Sequence, residues 1–400
     1  MELIKSVLPR FSENLNVIAC SSSIEYAPYL SVYLRSIKDN ASSQKMYDIV
    51  VFESSFTKEM KEILASCFNS DNFSVRFVNP EEILGSVDLY ITLPHFKREC
   101  YYRIVSPQIL KNYNRILFTD IDLVATGDVA KIFDIPMNGN IIAACIEPIY
   151  KSFYDENKIV LGQNVREYTD NVLKIKPENY YNTGVLLIDV EKYIKNNVLQ
   201  VLLGAISENY FLYQEQDALN CCLRDNIMKL SLEWNYEADM TIYNHPDIFD
   251  YYIQSLSKMK ICHFLGGIKP WFYPEKKLAH IWWQYARKTP FYEEILARLI
   301  DFRITQRKNE FITPDITKLR QELANVHFPN INKHFAADEY QTKMLFVLNH
   351  LGRFKAKKAY FAVKKAFAFG EKHKKYQQKY DVVKQLIRDA KEFKKGLLKI

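Results

Sequence analysis

The sequence predicts a single α/β domain with a mixed, mostly parallel sheet, followed by a basic helical extension. Apolar runs of strand length alternate with helical stretches through the first part of the chain, and lysines and helical spacing replace this pattern in the last part. Strands that alternate with helices form a largely parallel sheet with helices on both faces. We place the α/β domain at residues 1–290 and the helical basic region at residues 291–400.

The first elements alternate between strand and helix. The run "NVIACSSS" at 16–23 predicts a strand, and the helical stretch "APYLSVYLRSIK" follows with Pro28 near its start. Further along the chain lie a strand at 47–54, a helix at 57–68 and a strand at 73–79. A helix through "FKRECYYRIVSPQIL" and a buried strand "RILFT" come next.

The positive charge is concentrated near the end of the chain. The net charge is +7, and the last 60 residues hold 17 Lys or Arg against 4 Asp or Glu, so residues 341–400 carry +13 and residues 1–340 carry −6. A basic segment of this kind suits an anionic surface, either nucleic acid or acidic lipid. A solvated charged helix is the alternative interpretation.

Two further features bear on where the protein works. No stretch approaches the roughly 18 consecutive apolar residues of a membrane span, and the first residues lack the apolar segment of a signal peptide. The seven cysteines include no C-x-x-C pair, which is typical of reduced core thiols. We therefore expect a cytoplasmic protein with unpaired cysteines.

The strand "RILFT" runs directly into two carboxylates, Asp120 and Asp122. Open α/β sheets bind ligands beyond the carboxyl ends of their strands, so these acids would face a site. The chain has no G-x-G-x-x-G after its first strand and no P-loop pattern, which argues against a dinucleotide oxidoreductase or a P-loop NTPase. A divalent cation on the two carboxylates could hold a diphosphate instead. Simple solvation of the acids is the alternative.

A second group of polar residues follows another short apolar run, in "KICHFLGGIKPW". His263 ends the run, Gly266 lets backbone approach phosphate oxygens, and Lys269 supplies a point charge. An imidazole beside carboxylates favours Mn²⁺, with Mg²⁺ also possible. Taken alone, a histidine at a strand end is more often a structural residue.

Several separated motifs occur in a specific order: "NVIACSSSIEYAPYLSVYLRSI", "HFKRECYYR", "RILFTDIDLVATGD", "YYNTGVLLIDV", "YQEQDALN", "EWN" and "HFLGGIKPW". Together they resemble the bacterial retaining glycosyltransferases of family eight, which include lipooligosaccharide galactosyl- and glucosyltransferases. The resemblance spans residues 16 to about 290. It implies a Rossmann-like nucleotide-sugar transferase domain of the GT-A type. It also implies transfer of a hexose from UDP-galactose or UDP-glucose to a glycan or glycolipid acceptor, such as lipopolysaccharide or another cell-surface glycan.

The resemblance also implies roles for individual residues. The Mn²⁺ ligands would be Asp120, Asp122 and His263. The donor would be bound by Tyr26, Ser21, Ser23, Arg103, Asp120, Ile121, Gly266 and Lys269. The donor sugar and the reacting carbon would be lined by Asn182, Gln216 and Asp217, and the acceptor would lie near His95 and Glu147.

Retention of configuration in this family is usually explained by return of the acceptor on the same face of the sugar, with Gln216 near the reacting carbon. Asp189 and Asp217 are the alternative nucleophiles. The chain departs from the family at Ser23 and Glu25, where an aspartate and an asparagine commonly precede the tyrosine that meets uracil. Glu147 and Glu215 stand where a close relative would have aspartate, which shifts each carboxylate by about one methylene.

The tail has one apolar helical face surrounded by lysines, formed by Tyr376, Tyr380, Val383, Ile387 and Ala390. Basic and aromatic residues on a helix suit an anionic membrane. We expect a peripheral enzyme on the inner face of the cytoplasmic membrane, with no nucleic acid as partner. The alternative is an α/β adaptor that has lost catalysis and binds an anionic membrane or nucleic acid through this tail.

Overall fold

The protein is described by a computed structural model. The chain separates by its internal contacts into two units, Met1–Glu310 and Phe311–Ile400. The described residues are 6–84, 87, 89–92, 97–238, 246–310 and, in the tail, 373–374, 376–381, 384–385, 387–388 and 391.

The main sheet of the first unit is mixed and mostly parallel, in the order β10-β6-β9-β4-β1-β2-β3. The central strands pair in parallel, and β9 lies antiparallel between β4 and β6. This confirms the predicted fold class. The described strands are β1 Asn16–Ser21, β2 Tyr47–Phe52, β3 Phe73–Val78, β4 Arg115–Thr119, β5 Leu123–Ala125, β6 Ile142–Ile146, β7 Ile159–Val160, β8 Gln163–Asn164, β9 Tyr181–Asp189, β10 Ile227–Lys229, β11 Tyr236–Glu237 and β12 Ile261–His263.

Helices connect these strands and bury their apolar faces on the sheet. Helix α1 starts at Ala27 with Pro28 in its first turn, where the missing N–H has no intrahelical partner to lose. The described α-helices are α1 Ala27–Asn40, α2 Lys58–Phe68, α3 Glu81–Leu84, α4 Tyr102–Ile109, α5 Pro148–Asp155, α6 Val165–Tyr168, α7 Val190–Lys195, α8 Val198–Glu208, α9 Gln214–Leu223, α10 Pro246–Leu256, α11 Ala279–Ala286 and α12 Tyr292–Glu310.

A small three-stranded sheet, in the order β11-β12-β5, brings distant segments together. Strand β4 of the main sheet ends at Thr119, and three residues later the chain enters β5 of the small sheet. Strand β12 runs antiparallel to β5, with His263 opposite Leu123. Strand β11 pairs with β12 in parallel, with Glu237 beside His263. The small sheet therefore sets His263 next to the segment that leaves β4.

The second unit is helical where the tail is described. Tyr376 and Tyr380 are partly buried and Ile387 is buried, while Lys384 and Arg388 are exposed. The other two members of the predicted apolar face lie outside the described residues. No helix among the described residues is long and apolar enough to cross a membrane. The domain boundary after residue 290 stays a prediction.

A buried carboxylate joins the N-terminal segment to the sheet edge. Asp48 in β2 is 1% exposed and pairs with the guanidinium of Arg76 in β3 at 2.7 Å. Its carboxylate also accepts hydrogen bonds from the Tyr113 hydroxyl at 2.6 Å and from the backbone N–H of Arg10 at 2.8 Å. Arg10 and Tyr113 lie outside the strands that pair with β2, so Asp48 connects two segments to the sheet that no strand pairing joins to it.

We expect Asp48→Ala to lower the free energy of unfolding by about 3 kcal/mol, because it leaves the buried donors of a charged network without an acceptor. Urea unfolding followed by tryptophan fluorescence measures the change. Asp134→Ala is the control, since this carboxylate is 73% exposed and its pair with Lys45 contributes little. Equal stability of the two variants would contradict the assigned role of Asp48.

Candidate active site

The two predicted acids lie in the segment that links β4 to β5. The backbone N–H of Asp120 donates to the carbonyl of Gly184 in β9 at 2.9 Å, and the carbonyl of Asp122 accepts from the N–H of Phe264 after β12 at 3.0 Å. One acid is thus tied to the main sheet and the other to the small sheet. Ile121 between them is 8% exposed. The chain bends between the two strands here, so that Ile121 is buried while the carboxylates of Asp120 and Asp122 stay partly exposed.

Asp120, Asp122 and His263 form a cluster that could hold a metal ion. One ligand atom from each lies within 4.8 Å of the others. The imidazole Nε2 is 3.2 Å from Asp122 Oδ1 and 3.7 Å from Asp120 Oδ2. This nitrogen is buried and has no hydrogen-bond partner among the described residues. An unpartnered imidazole nitrogen aimed at two carboxylates is the donor set that Mn²⁺ accepts.

A row of amides determines which nitrogen of His263 is protonated. The N–H of Gly184 donates to Asn182 Oδ1 at 2.8 Å, so that atom is the carbonyl oxygen of the amide. It also accepts from Asn235 Nδ2 at 2.8 Å, which turns Asn235 Oδ1 toward His263 Nδ1, again at 2.8 Å. Nδ1 must therefore be the protonated nitrogen. The lone pair of Nε2 is then available to a cation.

Gly184 allows this arrangement because it has no side chain. A Cβ atom at this position would lie 2.3 Å from His263 Cε1 and 2.9 Å from both Asn182 Oδ1 and Asp120 Oδ2. All three neighbours belong to the cluster or to the amides that support it. Strand β9 can therefore approach the acidic segment closely only with glycine here.

Cations offset the charge of the two carboxylates. Arg103 in α4 is 4% exposed, pairs with Asp120 at 2.5 Å and donates to the carbonyl of Thr183. Lys269 pairs with Asp122 and donates to the carbonyl of Phe264 at 2.8 Å. Burial alone would raise the pKa of Asp122, but the Lys269 ammonium beside it holds that pKa well below its usual range. Asp122 therefore stays ionised.

A cavity of about 500 Å³ opens above the cluster. Residues of both sheets and of the loops at the carboxyl ends of β1 and β4 line it. The structure brings together at this cavity the predicted residues Ser21, Ser23, Tyr26, Arg103, Asp120, Ile121, Asp122, Glu147, Asn182, Gln216, Gly266 and Lys269. His263 lies behind the wall, fully buried.

Three buried carboxyl groups also line the cavity, in Glu147, Glu215 and Glu237. Glu147 Oε2 accepts from Asn182 Nδ2 at 2.7 Å, and burial raises the pKa of Glu147. Burial and the neighbouring Glu147 raise the pKa of Glu237 well above its usual value. Burial raises the pKa of Glu215 to about 7, against the pull of the Arg103 guanidinium. At neutral pH these groups can present protons as well as lone pairs.

The family model of glycosyl transferase family 8 matches residues 17–275. The chain belongs to glycosyltransferase family 8. The matched segment contains every member of the Asp-Asp-His cluster and the whole amide row described above.

Relatives of this glycosyltransferase are distant in sequence. General stress protein A of Bacillus subtilis (strain 168) is 24% identical over 276 residues, which are 66% of this chain and 89% of that protein. Lipopolysaccharide 1,2-glucosyltransferase of Escherichia coli (strain K12) is 25% identical over 189 residues, 44% of this chain and 50% of that protein. The solved structure of the bifunctional glycosyltransferase WbbM shares the fold, with a TM-score of 0.67, 22% identity and coverage of 74% of this chain and 53% of that chain. The chain thus spans about half the length of the last two proteins.

Besides the buried His263, two predicted residues of the glycosyltransferase, Asp189 and Asp217, do not line the cavity. Asp189 ends β9 and caps α7 by accepting from the N–H of Lys192 at 3.0 Å. Its register partner across the sheet is Arg115, the first residue of β4, so it lies at the opposite end of the strand from the cluster. Asp217 is fully buried beneath the wall. His95 lies outside the described residues.

Four residues that the sequence analysis did not single out help to build the site: Asn235, Gly184, Tyr180 and Glu237. The first three lie in or beside motifs that carried the family resemblance, "EWN" and "YYNTGV". Their roles depend on contacts with His263 and Gln216, which are distant in sequence. The place of Glu237 at the site depends on the pairing of β11 with β12, which the sequence pattern did not predict.

We expect Gly184→Ala to weaken Mn²⁺ binding at least tenfold, because the added methyl group forces His263 and Asp120 apart. Electron paramagnetic resonance of unbound Mn²⁺ measures the affinity. Gly204→Ala in α8 is the matched control, since a Cβ there meets no atom within 4 Å. If Gly184→Ala is folded and binds Mn²⁺ as the wild type does, the cluster is not the metal site.

Proposed function

We propose that this glycosyltransferase is a metal-dependent, retaining hexosyltransferase. It transfers galactose or glucose from a UDP-sugar to a glycan acceptor, and lipopolysaccharide or another cell-surface glycan is our choice of acceptor. The supporting observation is the buried, unpartnered Nε2 of His263 beside Asp120 and Asp122, at the wall of a cavity of about 500 Å³. A cavity of this size suits a nucleotide-sugar.

The donor diphosphate is assigned to the acidic segment and the loop after β12. Asp120, Asp122 and His263 would hold Mn²⁺, with Mg²⁺ as the second choice. When bound, the cation stabilises the negative charge that develops on the leaving diphosphate. Lys269 lies beside Asp122, and its ammonium has three donor hydrogens. It can therefore donate to a phosphate oxygen while it stays paired with Asp122. Gly266, with φ of +71°, lets the loop backbone approach the phosphates.

Arg103 has a positioning role in this proposal. It is bound at one edge to Asp120 and at another to Glu215 at 3.2 Å. The guanidinium is planar and cannot lose its proton, so it fixes both carboxylates in direction. We propose that Arg103 orients Asp120 and, through its pair with Glu215, also positions the start of α9.

The bond changes follow from the donor chemistry. The bond between the anomeric carbon and the β-phosphate oxygen breaks, and the acceptor hydroxyl oxygen bonds to the same face of that carbon. The acceptor proton passes to the departing diphosphate. This scheme needs no enzyme carboxylate as nucleophile, which suits a site where Asp217 and Asp189 do not line the cavity.

The nucleotide base is assigned to the loop after β1. Tyr26 and Trp271 line the cavity there, with ring centroids 6.3 Å apart. The hydroxyl of Ser23 donates to Glu25 Oε2 at 2.5 Å, and Arg298 of α12 donates to the carbonyl of Glu25. Ser23 and Glu25 stand where an aspartate and an asparagine commonly precede the tyrosine in the family. In this proposal they hold the loop in shape, and Ser21 and Ser23 supply polar atoms for uracil and ribose.

The acceptor is assigned to the side of the cavity near Glu147. Protonated carboxyl groups in this region can donate to sugar hydroxyls. The choice of lipopolysaccharide rests on the Escherichia coli relative, whose name states that acceptor. We further propose that the basic tail holds the enzyme on the inner face of the cytoplasmic membrane, where such acceptors would be reached.

Titration calorimetry of UDP into the protein tests the donor assignment. We expect binding that requires Mn²⁺ and is lost in Asp122→Ala and His263→Ala, because either change removes a ligand from a three-ligand cluster. Asp134→Ala and His280→Ala are the controls, since both side chains are exposed and neither lines the cavity. Absence of UDP binding with any divalent metal would overturn the donor assignment.

The membrane proposal is tested by flotation with lipid vesicles. We expect the protein to bind vesicles containing phosphatidylglycerol, to ignore pure phosphatidylcholine, and to be released by salt. Replacing Lys374, Lys379, Lys384 and Arg388 with glutamine should weaken binding at least a hundredfold, since each charge near such a surface is worth on the order of 1 kcal/mol. Equal weakening by glutamine at the exposed Lys58, Lys111, Lys131 and Lys195 would show that overall charge, not the tail, is responsible.

A further inference from the structure

The side-chain amide of Gln216 is bound on both sides by the protein. Gln216 lies in the first turn of α9 and lines the cavity. Its Oε1 accepts from the backbone N–H of Thr183 at 3.0 Å and from the hydroxyl of Thr183 at 3.1 Å. A backbone N–H can only donate, so the atom facing it must be the amide oxygen. The amide therefore has one permitted orientation.

The nitrogen of this amide faces Tyr180. Gln216 Nε2 lies 3.0 Å from the Tyr180 hydroxyl, which lies 2.5 Å from Asp217 Oδ1. A phenol has one proton, and it goes to the carboxylate because the amide nitrogen is itself a donor. Burial and the charge of Asp217 raise the pKa of Tyr180 well above its usual value, so the phenol keeps that proton.

The ring of Tyr180 is also fixed. It is fully buried and stacks on the ring of Tyr150, with centroids 3.6 Å apart and an interplanar angle of 6°. Asp217 is held in turn by the hydroxyl of Tyr168 at 2.7 Å and by the N–H of Tyr213 at 2.8 Å. Two donors besides Tyr180 therefore bind the carboxylate, and the backbone N–H of Tyr213 still holds it when the Tyr168 hydroxyl is removed.

We propose that Tyr180 is a positioning residue that locks Gln216 as a hydrogen-bond donor toward the sugar donor. Both lone pairs of Oε1 are occupied by Thr183, so the amide oxygen is not available to attack the anomeric carbon. One N–H of Nε2 is bound to Tyr180, and the other is left for an oxygen of the UDP-sugar. Asp217 acts through Tyr180 and does not touch the substrate. This inference rests on the proposed function.

A double-mutant cycle on UDP release tests the proposal. UDP-galactose and UDP-glucose are supplied with Mn²⁺, and water serves as the acceptor. Tyr180→Phe should lower kcat about tenfold and leave KM within about twofold, because the lost bond orients a group that acts during bond breaking. Gln216→Met, which keeps the length of the side chain without its donors, should lower kcat further. Adding Tyr180→Phe to Gln216→Met should then have no additional effect.

Tyr168→Phe is the matched control. It removes the same kind of donor from the same carboxylate, but the Tyr168 hydroxyl makes its hydrogen bonds to Asp217 and Leu212, and none to Gln216 among the described residues. We expect kcat within about twofold of wild type, and any loss should be additive with Gln216→Met. Equal loss in the two tyrosine variants, or additivity of Tyr180→Phe with Gln216→Met, would overturn the proposal in favour of general packing.

The remaining outcomes are also decisive. If Tyr180→Phe does not fold, Thr183→Val removes the other side-chain contact of the same amide, and it should show the same lack of additivity with Gln216→Met. Wild-type protein that binds no UDP contradicts the proposed function. Wild-type protein that binds UDP with Mn²⁺ but turns over neither UDP-sugar contradicts the proposed choice of galactose or glucose and leaves the nucleotide site intact, so this failure is distinguishable from failure of the cycle.

Discussion

The hydrogen bond between His263 and Asn235 is the interaction on which the rest of the site depends. Without an acceptor at Nδ1, the imidazole could protonate Nε2 and turn a donor toward the two acids. Asn235 excludes that tautomer, and Asn182 orients Asn235 in turn. Because Asn182 also donates to Glu147, the cluster and the proposed acceptor side share one row of hydrogen bonds. A displacement of Glu147 would therefore change the position of His263, and the reverse also holds.

The fold was predictable because its signal is local. Each early strand is a short apolar run, and each early helix has its own spacing, so periodicity alone identified the order. The position of Asp120 and Asp122 followed from the same reading, since a buried strand that ends in acids points them at the ligand-binding edge. The sequence also singled out His263 and Lys269 as candidates, but their roles beside the two acids rested on the resemblance, because nothing local shows that β12 pairs with β5.

The direction of β9 explains why Asp189, a predicted site residue, lies away from the cavity. In a parallel strand, the carboxyl end would face the ligand, and Asp189 would join the acids after β4. Strand β9 is antiparallel to β4, so Asn182 near its start lies at that edge and Asp189 lies beside Arg115 at the other. Strand direction depends on pairing across the chain, and a sequence pattern of apolar residues is the same in both directions.

Gln216 and Asp217 show how adjacency in sequence can mislead. Successive helical residues point about 100° apart, so neighbours on α9 can face different surroundings. Gln216 faces the cavity, and Asp217 faces the core, where three donors satisfy it. A buried carboxylate without such donors would be costly. Its position beside Gln216 is therefore best explained by Tyr180, whose hydroxyl donates to Asp217 and accepts from Gln216. Through this hydroxyl, the charge of Asp217 orients the amide of Gln216.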